Sequence, residues 1–120
     1  MRYPSDAFPK LGSLVARSAW QRVGGGDGRG TVYRVVDTGN RCIRAPCFSF
    51  RATVVNDTRT SRLSEVDLEA AGISASAAQR ARTLLRNGGI LVAGFVRTVS
   101  HPGWPESGSR LTATQVWLPA

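Results

Sequence analysis

The sequence of 120 residues has little of the residue types on which metal, redox and cofactor sites depend. It contains one histidine, two cysteines and scattered carboxylates, and zinc needs at least three protein ligands, so the candidate zinc site is one in which Cys42, Cys47 and His101 meet. The gap of four residues between the cysteines differs from the C-x-x-C redox motif. The glycine tract at residues 24–30 lacks the G-x-G-x-x-G spacing of dinucleotide sites. We therefore expect no cofactor.

Long apolar runs are also missing. The longest, ILVAGFV at residues 90–96, is far shorter than the roughly 18 to 20 apolar residues of a membrane span, so we do not expect the chain to cross a bilayer. The first 20 residues lack the apolar core of a signal peptide. Two locations are therefore consistent with the sequence, the cytoplasm or an exported form numbered after removal of a leader.

Negative charge is scarce. Eight acidic residues oppose fifteen arginines and one lysine, which gives a net charge of +8 at pH 7. A positive field of this size favours an anionic partner such as nucleic acid, a membrane surface or an acidic protein. The arginines are scattered and form no run of five, so charge alone does not choose among these classes.

Catalytic motifs are absent as well. The sequence contains no G-x-S-x-G, Walker or H-E-x-x-H motif. His101 is the only histidine and lies in the sequence HPGW, which is typical of a loop. A small basic ribonuclease that pairs His101 with Glu65 or Asp67 and an arginine is the weakest of our hypotheses. We assign no catalytic residue and favour a nonenzymatic role.

Periodic patterns begin at residue 31. The stretch CFSFRATVVN predicts the clearest strand, because Phe48, Phe50, Ala52 and Val54 fall on one face. The alanine-rich stretch SASAAQRARTLLRNGG predicts a helix that is capped by one of its first two serines and ends at a glycine. The helix lies between the third and fourth of five predicted strands. The first, second, fourth and fifth are residues 31–38, 47–56, 90–101 and 110–119. The third is a short, irregular strand around Leu63, Val66 and Leu68, where the spacing of Ser64 and Asp67 would also suit a helix capping box.

This order of elements resembles the OB-fold, a Greek-key barrel of five strands. We therefore expect a mainly β protein, a small five-stranded antiparallel OB-like barrel with one helix between strands 3 and 4. The expected organisation is a loosely packed N-terminal arm and a flexible, glycine-rich link at residues 1–30, followed by a single barrel domain at residues 31–120. An open antiparallel sheet with one packed helix would give the same order.

The run RCIRAPC holds both cysteines between the first two predicted strands. Pro46 bends the chain, and the spacing allows Cys42 and Cys47 to form a disulfide at the neck of a loop. Two reduced thiols are the alternative. The OB resemblance implies that this loop, the loop HPGWPESGS and the sheet between them contact a ligand. The residues that we expect to do so are Arg41, Arg44, Trp104, His101, Arg34 and Arg51.

A second resemblance rests on the C-x4-C loop, a V-D-L segment and a late strand with a glycine. Together these features resemble a family of small bacterial domains of unknown function, which are mostly exported or lipid-anchored. The matching residues are Cys42, Pro46, Cys47, Val66, Asp67, Leu68, Gly89 and Gly94. The chain departs from the family at Phe48 and Ser49, where glycines are common, and in having no export signal. The resemblance implies an exported protein and no known activity.

These observations favour a noncatalytic binding module that uses two rim loops to contact a protein or another acidic partner. The alternative is a single-stranded nucleic-acid-binding protein of the OB type. Stacking platforms for bases normally use several aromatic side chains. Only Trp104 is expected to be exposed near the loops, because four other aromatic residues alternate as core residues would, namely Phe48, Phe50, Phe95 and Trp117.

Overall fold

The computed structural model describes residues 20–119 of the chain, so most of the predicted N-terminal arm lies outside the described residues. Within this range the strands are β1 (Trp20–Val23), β2 (Thr31–Asp37), β3 (Phe50–Val54), β4 (Thr60–Leu63), β5 (Glu65–Asp67), β6 (Ile90–Val99) and β7 (Gly108–Pro119). One α-helix, α1 (Ala75–Arg86), lies between β5 and β6. A 3₁₀ turn, Glu69–Ala71, precedes α1.

The strands form a single sheet, whose hydrogen-bonded path is β1-β7-β6-β2-β3-β4. Neighbours on this path are antiparallel. The remaining strand, β5, pairs in parallel with β7. The predicted mainly β architecture with one helix is confirmed. The described sheet has seven strands rather than five, and its path is open, with β1 and β4 at its ends.

The extra strands have two origins. β1 lies in the range that we predicted to be an arm and link, and it pairs with the end of β7. The third predicted strand is divided at Ser64, because β4 pairs with β3 whereas β5 pairs with β7. The Ser64 N–H donates to the carbonyl oxygen of Ser109 over 2.9 Å, and the Ser109 N–H donates to Ser64 Oγ over 3.0 Å. A change of partner strand cannot be predicted from local alternation.

The main core lies between the sheet and α1. Ser74 caps the helix by accepting a hydrogen bond from the Ala77 N–H over 3.2 Å, as predicted for one of the serines. Small side chains on the buried face of α1 allow it to approach the sheet closely. The buried residues of this core include Ala81 and Leu85 of α1 and, from the strands, Val35, Ala52, Leu63, Ile90, Val92, Leu111 and Val116.

A second, smaller apolar cluster lies on the opposite face of the sheet. It consists of Trp20, Leu91, Ala93 and Trp117, all of them buried. Successive side chains of a strand point to opposite faces, so the two clusters together use both faces of β6. This arrangement explains the nearly continuous apolar sequence at the start of that strand.

The glycine-rich tract between β1 and β2 packs against the sheet. A β-carbon added to Gly26 would contact the carbonyl oxygen of Thr114, and one added to Gly30 would contact that of Gly94. Thr114 lies at a register shift between β6 and β7, and its Oγ1 donates to the carbonyl oxygen of Arg29 over 2.5 Å. The tract therefore differs from the flexible link that we predicted, because its glycines permit close approach of two backbones.

Candidate binding surface

The loop between β2 and β3, residues 38–49, is called the disulfide loop below, and its base is tied by hydrogen bonds. The backbone N–H and the Oγ1 of Thr38 both donate to the carbonyl oxygen of Ser49, over 2.8 and 2.9 Å. Asn40 Nδ2 donates to the carbonyl oxygen of Phe48 over 3.3 Å. These contacts hold the two ends of the loop together beyond the last paired residues of the strands.

The neck of the loop is closed covalently. Cys42 and Cys47 form a disulfide, with their Cα atoms 5.5 Å apart, which confirms the predicted pairing. Both sulfurs are therefore unavailable as zinc ligands. Among the described residues, no group of three histidine, cysteine or carboxylate side chains is placed to hold a metal ion.

The tip of the disulfide loop carries one apolar and two basic side chains. Ile43 has a relative exposure of 105%, so its side chain is entirely in solvent. Arg41 is exposed and forms an ion pair with Asp37 over 3.4 Å. Arg44 is also exposed and makes no ion pair with any described carboxylate. Arg41 is thus partly neutralised, whereas Arg44 is open to an external anion.

The loop between β6 and β7, residues 100–107, is called the tryptophan loop below, and it meets the disulfide loop. A β-carbon added to the buried Gly108 would lie 3.1 Å from Trp104 Cζ3 and 3.2 Å from Pro46 Cβ, so both side chains border the same point. The rings of His101 and Trp104 lie in contact, with their centroids 4.4 Å apart and their planes tilted by 59°. Pro46 is buried, so the disulfide loop is not wholly in solvent where it approaches Gly108 and Trp104.

Two arginines face each other across β3 and β4, beside the base of the disulfide loop. Arg51 is directly opposite Arg62, and both are exposed. The guanidinium of Arg62 lies 5.5 Å from the centroid of the Phe48 ring. Directly opposed like charges are unfavourable in a sheet, and no described carboxylate pairs with either of them. Arg51, Arg62 and Phe48 are called the arginine pair surface below.

The sequence predicted Arg51 and missed the other two members of this surface. Phe48 was expected in the core by alternation with Phe50, but the chain between Cys47 and Ser49 is irregular, with the Ser49 N–H donating to the Cys47 carbonyl oxygen over 2.9 Å. Phe48 is half-buried. Arg62 lies just before Leu63, the first apolar residue of the predicted third strand, and its alternation with the buried Leu63 was the available signal.

Arg34, which we also predicted to contact a ligand, is exposed on β2 but is held internally. Its Nη2 donates to the carbonyl oxygen of Gly88 over 2.7 Å. Arg34 is opposite Thr53 of β3. Arg51 lies two residues before Thr53 on the same strand and is opposite Val36 of β2. Since Arg34 and Arg51 are on the same sheet face but not directly paired, Arg34 extends the basic surface away from the loops.

A second pair of opposed arginines lies on β6 and β7. Arg97 is directly opposite Arg110, and Arg110 Nε forms an ion pair with Glu65 Oε2 over 2.6 Å. The guanidinium of Arg97 lies 6.0 Å from the centroid of the Phe95 ring. The prediction that Phe95 belongs to the core is wrong, because its side chain is 42% exposed. The register shift after Ala93 accompanies this change in which residues face solvent.

The carboxylates near α1 are engaged by arginines. Burial opposes ionisation of Asp37, but the Gly39 N–H, the hydrogen bond from Arg41 and the charges of Arg41 and Arg86 outweigh it, so the pKa of Asp37 lies below its ordinary value. A hydrogen bond to its own backbone N–H and the charge of Arg82 hold the pKa of Glu69 low, against a smaller opposing effect of burial. The positive charges of these arginines therefore neutralise the negative charges of the carboxylates on this side of the sheet.

The carboxylates that the ribonuclease hypothesis requires have structural partners. Glu65 is paired with Arg110, and Asp67 Oδ1 accepts a hydrogen bond from the Ala70 N–H over 3.2 Å. A groove of about 570 Å³ lies along α1, and none of the predicted site residues lines it. These positions offer the ribonuclease hypothesis no support.

Comparison with known sequences decides the family. A family described as a domain of unknown function, DUF6748, matches residues 2–120. The chain belongs to this family. Membership confirms the predicted family of unknown function, and the DUF6748 match includes both cysteines and both loops. No curated protein and no solved structure matches the chain. Within residues 20–119 of this DUF6748 domain, no helix is long and apolar enough to cross a membrane.

Proposed function

We propose that this protein is a noncatalytic binding module that holds an acidic partner, either a protein or another anionic surface. The binding surface consists of the disulfide loop, the tryptophan loop and the arginine pair surface. Arg44, Arg51 and Trp104 make the principal contacts, while His101 supports the Trp104 ring and Arg41 and Arg34 contribute charge. Trp and Arg are frequent among the residues that dominate binding energy in protein interfaces.

The observation that carries this proposal is the direct opposition of Arg51 and Arg62. Two exposed like charges repel each other in the free protein, and an anionic group placed between them would remove that repulsion. The described ion pairs elsewhere neutralise Arg41, Arg59, Arg82, Arg86 and Arg110. The unneutralised arginines beside the disulfide loop are thus the ones suited to an external partner.

We also propose that the sheet curls into an OB-like barrel with β1 as an addition. β4 and β5 are separated by Ser64 alone, and they pair with β3 and β7 respectively. If β4 and β5 are counted as one bent strand, that strand would pair with β3 and with β7, the two ends of the path β7-β6-β2-β3. Five strands would then surround the core. In such a barrel the two rim loops flank the outer face of β3 and β4.

The function is tested with poly-L-glutamate as the probe. The double variant Arg51→Ser with Arg62→Ser should weaken binding at low salt by about tenfold, or about 1.4 kcal/mol. The matched control is Arg80→Ser with Arg82→Ser, which removes the same charge from α1. We expect the control to lose no more than about twofold, since it changes only the long-range field. Equal losses in the two double variants would contradict a localised site.

Single-stranded nucleic acid is a second candidate, supported by the aromatic rings that the structure leaves near the surface. The ring of Phe48 is covered by Arg62, Phe95 is exposed beside Arg97, and Trp104 borders the loop junction. Stacking of bases normally uses several aromatic rings. These three rings, two of them beside guanidinium groups, meet that requirement, whereas Trp104 alone did not. The phosphates would lie on the unneutralised arginines.

Oligo-dT and a polyphosphate of equal charge distinguish this candidate. If bases stack on the rings, oligo-dT should bind more tightly than polyphosphate, and Phe48→Leu should weaken oligo-dT binding by about fivefold or more. Tyr33→Leu is the matched control, because Tyr33 packs against the main core. Equal affinity for the two polymers would exclude base recognition and leave only charge.

We propose that the protein acts in an exported, oxidising location. Disulfides persist in such compartments and are rare in the cytosol. The support is the Cys42–Cys47 bond. Fractionation of the source cells followed by thiol labelling without reductant tests the proposal, and a cytosolic protein with two reactive thiols would contradict it.

A further inference from the structure

The tip of the disulfide loop carries an exposed apolar side chain that the recognition of charged groups does not explain. Ile43 is fully exposed, whereas the only other large apolar side chain exposed among the described residues, Phe95, is 42% accessible. Both the folded and the unfolded chain expose Ile43 to water, so its apolar surface contributes nothing to folding. Transfer of that surface into an apolar environment would be favourable, and a binding partner could supply one.

The loop presents Ile43 in a defined position. The disulfide between Cys42 and Cys47 closes the neck, and the buried Pro46 packs beside Trp104 at the junction of the loops. A side chain on a constrained loop loses less conformational freedom on docking than one on a mobile loop. The geometry therefore favours insertion of Ile43 without folding of the loop around a partner.

Two basic residues lie close to this apolar tip in the sequence. Arg41 and Arg44 flank Ile43 in sequence and are exposed, and the arginine pair surface lies beside the base of the loop. The opposing charge in the neighbouring tryptophan loop is Glu106, which is exposed. An apolar tip with basic residues beside it is complementary to a partner whose apolar interior is bordered by anionic groups.

We infer that the disulfide loop docks on an anionic lipid bilayer, with Ile43 in the boundary between headgroups and acyl chains and Arg44 on lipid phosphates. The inference rests on the proposed function, because it names the acidic partner of the same surface. A nucleic acid offers phosphates without an apolar phase. A protein would need a pocket shaped for this protruding loop, whereas a fluid bilayer accepts an apolar tip of any shape.

The docking is weak and reversible. A single inserted side chain buries less apolar area than a myristoyl chain, which by itself gives only marginal binding with an association constant of about 10⁴ M⁻¹. Each arginine near an anionic bilayer contributes about a fivefold gain in affinity, which decreases as salt screens the surface. Membrane binding should therefore require low to moderate salt and anionic lipid together.

Co-sedimentation with unilamellar vesicles tests the inference with the full chain. Vesicles of equimolar phosphatidylcholine and phosphatidylglycerol should bind the protein, and vesicles of phosphatidylcholine alone should not. Ile43→Ser should reduce binding by about tenfold, whereas Ile43→Leu should preserve it. Ile43→Leu is the matched control, because it keeps an apolar side chain at the same position of the loop tip. Thermal melts of each variant confirm that the fold is retained.

The outcomes separate this inference from the proposed function. If the vesicles bind and Ile43→Ser binds like the wild type, the apolar tip has no role and the inference is overturned, while a charge-binding surface stands. If poly-L-glutamate or oligo-dT binds and the vesicles do not, the lipid is excluded and a polymeric acid is the partner. If none of these probes binds, both proposals fail.

Discussion

The two irregular segments on either side of β2 differ in what their backbones contact. The glycine-rich tract before β2 lies against the bulged part of β6 and β7, where Gly26 and Gly30 meet carbonyl oxygens of the sheet. The disulfide loop after β2 extends beyond the sheet, and a β-carbon added to Gly39 would meet no atom within 4 Å. The glycine-rich tract is part of the packing, whereas the disulfide loop is held at its base, by its disulfide and at Pro46, and its exposed tip is available for binding.

This difference shows that glycine content does not identify the mobile or functional loop. Gly30 and Gly39 both have a positive φ, of 96° and 79°, so both backbones suit glycine. Only Gly30 also needs the absence of a side chain, because another strand occupies that space. The segment richest in glycine is therefore the more tightly packed one.

The largest expected effect comes from Gly30→Ala, compared with Gly39→Ala. Both variants introduce the cost of a positive φ, about 1 to 2 kcal/mol. Gly30→Ala additionally forces the new methyl group against the carbonyl oxygen of Gly94, so we expect it to destabilise the fold by at least about 2 kcal/mol more than the control. Urea denaturation measures both variants. Similar midpoints would show that the tract is as loosely held as the disulfide loop.

Removal of the disulfide should have the next largest effect. The double variant Cys42→Ser with Cys47→Ser releases a ring in which the cysteines are five positions apart, which should cost about 2 kcal/mol. We expect the strands to remain and the loop tip to become mobile, which NMR relaxation of the Ile43 amide would detect. The native unreduced protein should contain no reactive thiol. An unchanged relaxation rate would show that Pro46 and Asn40 hold the loop without the bond.

Asp37 links the base of the disulfide loop to α1, and its neutralisation should have a moderate effect. Asp37→Asn should reduce the free energy of unfolding at pH 7 by about 1 to 2 kcal/mol, because the carboxylate accepts charge-assisted hydrogen bonds. Since the folded pKa is lowered, this contribution is present above the unfolded pKa of about 3.9 and is lost as pH falls through the folded value. The difference between wild type and variant should therefore shrink below about pH 4. A difference that is constant with pH would exclude the ionised carboxylate as its cause.

The smallest expected effect on stability comes from Arg51→Ser. Removing one of two opposed charges should leave the free energy of unfolding within about 0.5 kcal/mol of the wild type, or raise it slightly. Arg86→Ser, which loses an ion pair with Asp37, is the comparison and should lower stability. Chemical denaturation at low salt measures both. A clear loss for Arg51→Ser would show that this arginine is structural rather than free for a ligand.

The helix and the clearest strand could be predicted because their information is local. The serine cap, the alanine stripe and the terminal glycine of α1 lie within one short stretch, and the alternation around Ala52 defines the buried face of β3. Phe95 and Phe48 were misassigned for the same reason, since alternation was extended through a register shift and an irregular turn. Arg62 was missed because its significance depends on the residue opposite it.

The sequence alone determined the helix and the main strands on either side of it, placed both cysteines in one loop at a spacing that allows a disulfide, and made basic groups outnumber acidic ones. These properties follow from backbone preferences and composition, which act over a few residues. Only the tertiary structure decided that Pro46 and Trp104 border one point, that Arg51 opposes Arg62 and that the glycine tract is packed. The reason is that strand pairing joins residues far apart in the chain, and the free energy of each register depends on both partners at once.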